Sequence, residues 1–202
     1  MPSGIRNPNL RVTTGFLDNV SDDFPGGGTS SPGFSAGQLG ARVTLGSGFP
    51  TDAVGVKFSS SFKTPLTTIP KGTFQYVQSL SGDSLAPAQG LIAFWSDRAN
   101  YIVSTLDTNA ADVAGVYLGA LGKGKFGFIQ CREDGGVGYV KVGAAVTPAA
   151  QDFAYPAADA TATANKVTAP SGTQAENTIG LYLSAKDAAT SLALVQFKGQ
   201  MS

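Results

Sequence analysis

The 202-residue sequence contains no histidine and a single cysteine, Cys131. Without histidine the chain lacks the usual near-neutral acid–base group and the commonest metal ligand, and neither a Ser–His nor a Cys–His dyad can form. One cysteine permits neither an intrachain disulfide nor a multi-thiolate zinc site. We expect Cys131, at the end of an apolar stretch, to be a buried packing residue. These absences argue against an enzyme, a metal centre and a bound cofactor.

Charge is also scarce in this chain. Charged residues make up 14% of it, and 14 lysines and arginines balance 14 aspartates and glutamates. A surface that binds nucleic acid needs net positive charge to displace counterions from phosphates, so we expect no nucleic-acid partner. Because little repulsion keeps copies of such a chain apart, it is prone to self-association. The composition therefore indicates a surface that partner subunits cover.

Long apolar runs are missing as well. No stretch reaches the roughly 18 to 20 apolar residues of a membrane span, and none follows residues 1–6, so we expect neither a membrane partner nor a secretory signal. Instead, 26 glycines and 11 prolines separate short apolar runs, a pattern typical of all-β proteins with many turns. The predicted fold class is mainly β: a compact β-barrel or sandwich domain with an extended N-terminal arm and little helix.

The composition divides the chain into regions. Residues 1–50 are rich in glycine and proline and are predicted to be an extended arm, with a disordered tail as the alternative. Its isolated aromatic residues Phe16, Phe24 and Phe34 are the candidate partner-binding anchors. Residues 51–202 are predicted to be the β-rich domain. Within it, the alanine- and threonine-rich insertion at about 143–178 is predicted to be a surface loop with one or two strands.

Apolar runs separated by turn residues predict three hairpins in the β-rich domain. The clearest joins residues 126–131 to residues 137–142, because the intervening Asp134-Gly135-Gly136 segment reaches positive φ at little cost. Residues 91–95 and 101–103 flank a polar turn and form the second hairpin. Residues 179–183 and 192–197 form the third, which closes the chain.

Two local patterns match known ligand sites, but a turn and core packing explain them better. The sequence GKGKFG at residues 122–127 fits the G-x-G-x-x-G dinucleotide fingerprint, but a strand-like run follows where that site requires a helix. We therefore predict a turn between strands. Trp95, with Phe94, Tyr76 and Tyr101, could form a platform on which sugar rings stack. Filling the β core is the favoured role for these aromatic side chains.

Several stretches resemble the head decoration, or cement, proteins of tailed bacteriophages. The resemblance lies in GTFQYV (72–77), WSDRANYIV (95–103), AGVYLGA (114–120) and GKGKFGFIQ (122–130), and in the closing IGLYL (179–183) and LVQFKG (194–199) segments. It covers about residues 70–142 and 179–199. The glycine-rich start and the insertion at about 143–178 depart from the family pattern.

The resemblance implies a structural virion protein that is made in the host cytoplasm and binds the outer surface of a phage capsid. Such a protein cements neighbouring coat subunits and has no catalytic residues. The implied partners are the major capsid protein and copies of the chain itself, as a trimer in preference to a dimer. Two alternatives remain open: a tail or fibre-associated virion subunit, and a carbohydrate-binding β module in which Trp95 is exposed.

Overall fold

The structure, a computed structural model, describes residues 39–40, 42–45, 49–50, 68–69, 72–106, 112–132, 136–157, 162–168 and 178–199. Every regular element within these ranges is a strand, which confirms the predicted mainly β class. The strands are β1 (Arg42–Leu45), β2 (Phe49–Pro50), β3 (Thr68–Ile69), β4 (Gly72–Ser79), β5 (Ile92–Asp97), β6 (Ile102–Ser104), β7 (Val113–Tyr117), β8 (Phe126–Cys131), β9 (Val137–Lys141), β10 (Phe153–Pro156), β11 (Ala164–Val167), β12 (Gly180–Tyr182) and β13 (Leu192–Phe197).

Five strands close into a barrel, in the order β4, β6, β5, β7 and β8. Closure occurs because β8 pairs with β4 on one edge and with β7 on the other. Neighbouring strands run antiparallel, except that β4 and β6 run parallel, with Gln78 opposite Ile102. β1 extends this sheet along the first half of β4 and lies within the range predicted to be the arm. The barrel in the predicted fold class is therefore confirmed.

The remaining long strands form a second, antiparallel sheet, in the order β11, β10, β12, β13 and β9. Its two outer strands approach each other, since Val142 forms an isolated parallel bridge with Ala164. The Gly143 N–H also donates to the Ala164 carbonyl at 3.0 Å. The second sheet therefore curls almost into a ring. β10 and β11 come from the insertion at about 143–178, where one or two strands were expected.

The predicted hairpin between residues 126–131 and 137–142 is wrong, although both stretches are strands. β8 lies in the barrel and β9 in the second sheet, where β9 pairs with β13. Both edges of β8 are already occupied by β4 and β7, so no edge is left for β9. The chain therefore crosses from one sheet to the other at residues 132–136. The other two predicted hairpins, β5–β6 and β12–β13, are confirmed.

One hydrophobic core joins the two sheets. Ile92 and Ile129 of the barrel belong to the same buried cluster as Val140 and Val195 of the second sheet. Backbone hydrogen bonds cross between the two units: the Ile92 N–H donates to Ala162 at 2.8 Å, and the Lys141 N–H donates to Gly90 at 2.7 Å. Burying each large aliphatic side chain contributes about 1.5–3 kcal/mol, so this shared cluster fixes the sheets against each other.

Candidate interaction surfaces

One face of the second sheet carries side chains that are almost all apolar. We call this set the outer face. It consists of Val137 and Tyr139 on β9, Phe153 and Tyr155 on β10, Leu181 on β12, Leu183 immediately after β12, and Leu194 and Gln196 on β13. Lys141 on β9 and Leu192 on β13 pair with each other on the same side and border this set at one end. Successive residues of a strand point to opposite sides of the sheet, so residues two apart share one face.

The strand register places these side chains in two adjacent rows. In the first row, Phe153 pairs with Leu181, Leu181 with Gln196, and Gln196 with Val137. The second row is formed by Leu183, Leu194 and Tyr139. There the Leu183 N–H donates to the Leu194 carbonyl at 2.8 Å, and Leu194 pairs with Tyr139. Directly opposed side chains in a sheet lie about 4.5–5.5 Å apart at Cβ, so the outer face is one continuous patch.

Burial differs between the two sides of the sheet. On the inner side, Ala154, Val140, Tyr182 and Val195 are fully buried. On the outer face, Leu183 is 37% exposed and Tyr139 is buried, and the others are partly or fully exposed. An antiparallel sheet with one wet side ordinarily alternates apolar and polar residues, and here both sides are apolar. A contiguous, partly exposed apolar patch of this kind is a candidate surface for binding a partner.

A second candidate feature is the junction at Gly40, where the N-terminal segment meets the barrel. Gly40 has a φ of +83°, which favours glycine, and the Tyr101 ring packs directly on its Cα, where no Cβ would fit. The Gly40 N–H donates to the Tyr76 carbonyl at 2.8 Å, and its carbonyl accepts from the Gln75 side chain at 3.2 Å. The root of the N-terminal segment is therefore held at a defined point on the barrel.

Other polar side chains of β4 hold neighbouring segments in the same way. Gln78 donates to the Gly124 carbonyl at 3.1 Å, and Ser79 donates to the Gly122 carbonyl at 2.6 Å. Both acceptors lie in the segment that matches the dinucleotide fingerprint, where the Lys125 N–H donates to Gly122 in a tight turn. The strand β8 begins immediately afterwards. The predicted turn is therefore confirmed, and β4 fixes its position.

The β5–β6 hairpin carries Trp95 near its tip. Trp95 is partly buried and packs against the hydrophobic core. The Arg98 guanidinium carbon lies 5.7 Å from the centre of the Trp95 ring, and Arg98 also pairs with Asp112 at 3.5 Å. A sugar stacking on the outer side of this ring would displace the guanidinium. Phe94 and Tyr76 are buried, as expected for core residues, whereas Tyr101 is partly buried over Gly40.

A buried polar cluster lies at one end of the barrel. The Asp83 carboxylate accepts from the Ser104 hydroxyl at 2.6 Å, the Thr105 N–H at 2.7 Å and the Thr105 hydroxyl at 3.2 Å. Burial, together with the Asp83 charge, raises the pKa of the nearby Tyr117 hydroxyl far above its ordinary value. That hydroxyl has no hydrogen-bond partner among the described residues. The cluster holds the 104–106 segment, since the Leu106 N–H also donates to the Ser104 hydroxyl at 2.9 Å.

Some of the residues singled out from the sequence lie in the described ranges, and others lie outside them. Cys131 is buried, as predicted. The proposed anchors Phe16, Phe24 and Phe34 lie outside the described residues, so their role stays a prediction. The sequence does not predict the outer face, because residues 179–183 are apolar at nearly every position and such a run does not show which side points outward.

No cluster of three or more metal-ligating side chains is found among the described residues. Within those same ranges, no helix has the length and apolar character needed to cross a membrane.

Comparison with known proteins gives a weak structural likeness. No protein-family model matches the sequence, and no curated protein matches it significantly. Among solved structures, the chain is similar to the N base of the head fiber protein gp8.5 of bacteriophage phi29. The TM-score is 0.44 and the sequence identity is 14%, over 62% of this chain and 92% of that chain. A likeness of this strength does not establish a common fold, so the proposals below rest on the chain's own sequence and surfaces.

Proposed function

We propose that this chain is a structural virion protein that binds the outer surface of a phage capsid and cements neighbouring coat subunits. In this proposal it acts by contact and not by catalysis. The observation that carries the proposal is the outer face, a sheet surface whose apolar side chains gain free energy when another protein covers them. A neutral chain with 14% charged residues can make such contacts without strong repulsion.

The sequence resemblance and the outer face coincide in the fold. The stretches that resemble decoration proteins form the barrel strands β4 to β8 and the β12–β13 hairpin. That hairpin supplies Leu181, Leu183 and Leu194, the central leucines of the outer face. The resemblance therefore supports a contact role for the same part of the molecule that the burial pattern selects.

We further propose that the N-terminal arm adds a second contact with the coat, beside that of the outer face. An arm that becomes ordered on binding spreads contact over several subunits, at a cost of about 2–5 kcal/mol in ordering. The junction at Gly40 supports this role, because a root fixed to the barrel couples the arm mechanically to the domain. Several linked contacts then hold the protein on the shell more tightly than any one of them.

The test is co-sedimentation of the purified full chain with empty capsids that lack it. The wild-type protein should pellet with capsids, and occupancy should saturate at a fixed ratio to coat subunits. Replacing the three anchors together (Phe16→Ser, Phe24→Ser and Phe34→Ser) should reduce binding by tenfold or more, on the order of 1.4 kcal/mol at least.

A matched control changes three polar residues of the same segment, Ser21→Ala, Ser30→Ala and Ser35→Ala, and should bind like wild type. If the wild-type chain never pellets with capsids, the capsid role is wrong. If both triple variants bind equally well, the anchors are wrong and the capsid role stands. Rings or filaments formed by the chain alone would favour the tail-subunit alternative instead.

A further inference from the structure

We propose that the outer face binds a coat surface whose apolar side chains are bordered by a carboxylate, and that this carboxylate pairs with Lys141. This inference rests on the proposed function and deepens it. The proposed function takes the outer face to be a contact surface, and the inference states the chemistry of the coat surface that fits it.

Lys141 lies at one end of the outer face. It follows Tyr139 by two residues on β9 and pairs with Leu192 on β13, so it points to the same side of the sheet. Residues two apart on a strand are separated by about 7 Å. The Lys141 side chain is only partly buried. A cation therefore stands beside the row formed by Leu183, Leu194 and Tyr139.

The backbone at Lys141 is fixed by the barrel. Its N–H donates to the Gly90 carbonyl at 2.7 Å. Gly90 also lies so close that a Cβ there would meet the Leu192 side chain and the backbone N of Lys141. The two sheets therefore meet at this corner, and the ammonium is presented from a defined position. A group held in this way loses less conformational freedom when a partner binds it.

The other lysines described in the second sheet and its loops already interact within the chain. Lys166 pairs with Asp152 at 3.2 Å. Lys186 donates to two backbone carbonyls, at 3.1 and 2.7 Å, and Lys198 also has an interaction within the chain. Within the described ranges no ion pair involves Lys141. Lys141 is therefore the lysine of this region whose charge a partner can meet.

The charge of Lys141 limits which partner can cover the outer face. A partner that packs on Leu183 and Leu194 also removes water from around Lys141, and an ammonium buried without a counter-charge is strongly unfavourable. A carboxylate at the border of the partner's apolar surface removes that penalty and adds a charge-assisted hydrogen bond. The same face of a second copy would bring another lysine and, among its described residues, no carboxylate. The charge therefore favours an acidic border on the coat over a copy of the chain.

The test is co-sedimentation of the full-length chain with empty capsids that lack it, over a series of salt concentrations. Lys141→Glu should lower capsid binding by about tenfold or more, because like charges then meet across the interface. Lys141→Met keeps a side chain of similar length without its charge, so it should lower binding less and weaken the dependence of binding on salt. Lys141→Arg keeps the charge and should bind like wild type.

Lys123 provides the matched control. It is an exposed lysine in the turn before β8, so Lys123→Glu makes the same change of charge away from the outer face. This variant should bind capsids like wild type. The circular dichroism of each variant checks its fold. If Lys141→Glu is poorly folded, the comparison of Lys141→Met with Lys141→Arg decides, and equal binding by these two would overturn the inference.

The outcomes separate this inference from the proposed function. If the wild-type chain pellets with capsids and a folded Lys141→Glu binds equally well, the inference is wrong and the capsid role stands. Equal losses for Lys141→Glu and Lys123→Glu would also overturn it, because the capsid would then attract positive charge anywhere on the chain. A two-chain mass in capsid-free solution that Lys141→Glu alters would place a second copy on the outer face instead. A wild-type chain that never pellets would overturn the proposed function and this inference with it.

Discussion

The barrel and the second sheet differ in how many polar side chains they bury and in how exposed their apolar side chains are. Within the described ranges, the barrel and its loops bury several polar side chains, whereas the exposed large apolar side chain, Leu183, lies beside β12 of the second sheet. The buried polar set is Thr73, Gln75, Ser79, Asp83, Ser104, Thr105 and Gln130. The barrel uses these groups internally: Gln75, Ser79 and Gln130 each donate to a backbone carbonyl.

The difference bears on which region we propose as the contact surface. A buried polar group with its hydrogen bonds formed is complete within the chain and makes the barrel specific for one arrangement. A partly exposed leucine or phenylalanine gains free energy only when something else covers it. The barrel is therefore the more self-contained region, and the second sheet is the region that we propose to make contacts. The predictions below test that contrast, from the largest expected effect to the smallest.

The largest effect is expected from adding a methyl group between tightly spaced strands. A Cβ at Gly115 in the barrel would lie against the Gln130 carbonyl, and one at Gly180 in the second sheet would lie against the Gln196 carbonyl. Overpacking costs about 1–3 kcal/mol and occasionally more. Because a closed barrel cannot spread, Gly115→Ala should reach about 3 kcal/mol or more. Gly180→Ala should cost about 1–2 kcal/mol, since a single bridge closes its sheet.

Urea unfolding followed by circular dichroism measures both costs. Gly82→Ala is the matched control, since a Cβ there meets nothing within 4 Å. It should change the free energy of unfolding by no more than about 0.5 kcal/mol. A cost for Gly180→Ala equal to that of Gly115→Ala would show that the second sheet is as rigid as the barrel and would remove this part of the contrast.

The next effect concerns the buried carboxylate. Asp83→Ala removes the acceptor of the Ser104 hydroxyl and the Thr105 N–H, and both donors are buried. Leaving buried donors unpaired costs about 1–3 kcal/mol, and we expect the upper end of that range. Asp112→Ala removes a carboxylate that is 51% exposed and pairs with Arg98, and it should cost less than about 1 kcal/mol. Equal costs for the two variants would mean that the buried polar cluster is not a stabilising feature of the barrel.

The sequence predicted much of the fold and little of the contact surface. Turn residues and alternating runs gave the β class and two hairpins, because both signals are local. The 126–142 hairpin failed because pairing depends on which strand edges are free. Barrel closure, which places β4 beside β8, is a long-range contact that no local pattern contains. The outer face could not be predicted because the inward side of 179–183 is set by packing against the barrel and not by its own residues.

A smaller effect is expected at Tyr117. Its hydroxyl is buried and has no hydrogen-bond partner among the described residues. In the unfolded chain the same hydroxyl forms hydrogen bonds with water, so burying it does not stabilise the fold. Tyr117→Phe should therefore be neutral or should stabilise the protein by up to about 1 kcal/mol. The same urea unfolding experiment measures it. A loss of about 1 kcal/mol or more would show that this hydroxyl does form a hydrogen bond in the folded chain.

The fluorescence of Trp95, the single tryptophan of the chain, tests the barrel as a competing contact region. Because Arg98 covers the outer side of the ring, we expect no change in emission when host-surface glycans are added. Arg98→Ala removes that cover and should shift emission to longer wavelength, at a cost below about 1 kcal/mol. This variant is the positive control for the sensitivity of the signal. A saturable change in wild-type emission with glycan would favour the carbohydrate-binding alternative and move the contact region to the barrel.

The smallest effect is expected in the pKa values of two aspartates, one from each region. The side chain and the backbone N–H of Asn100 donate to Asp97 and hold the pKa of its carboxyl below the ordinary value. In the second sheet, the Ala149 N–H lowers the pKa of Asp152, and so does Lys166, which lies 3.2 Å away. Both pKa values are lower in the folded chain. Each carboxylate therefore stabilises the fold above the unfolded pKa of about 3.9, and that contribution is lost as pH falls through the folded value.

Salt separates the two causes of these lowered pKa values. The neutral donors at Asp97 are little affected by ionic strength, whereas the attraction between Lys166 and Asp152 acts near the surface and is screened. Carboxyl chemical shifts measured during acid titration should show the pKa of Asp152 rising with added salt and that of Asp97 remaining nearly constant. Lys166→Met should remove the salt dependence at Asp152 and leave Asp97 unchanged. Equal salt dependence at the two sites would mean that the Lys166 charge has no effect at Asp152, so that in both regions neutral donors alone hold the carboxylate.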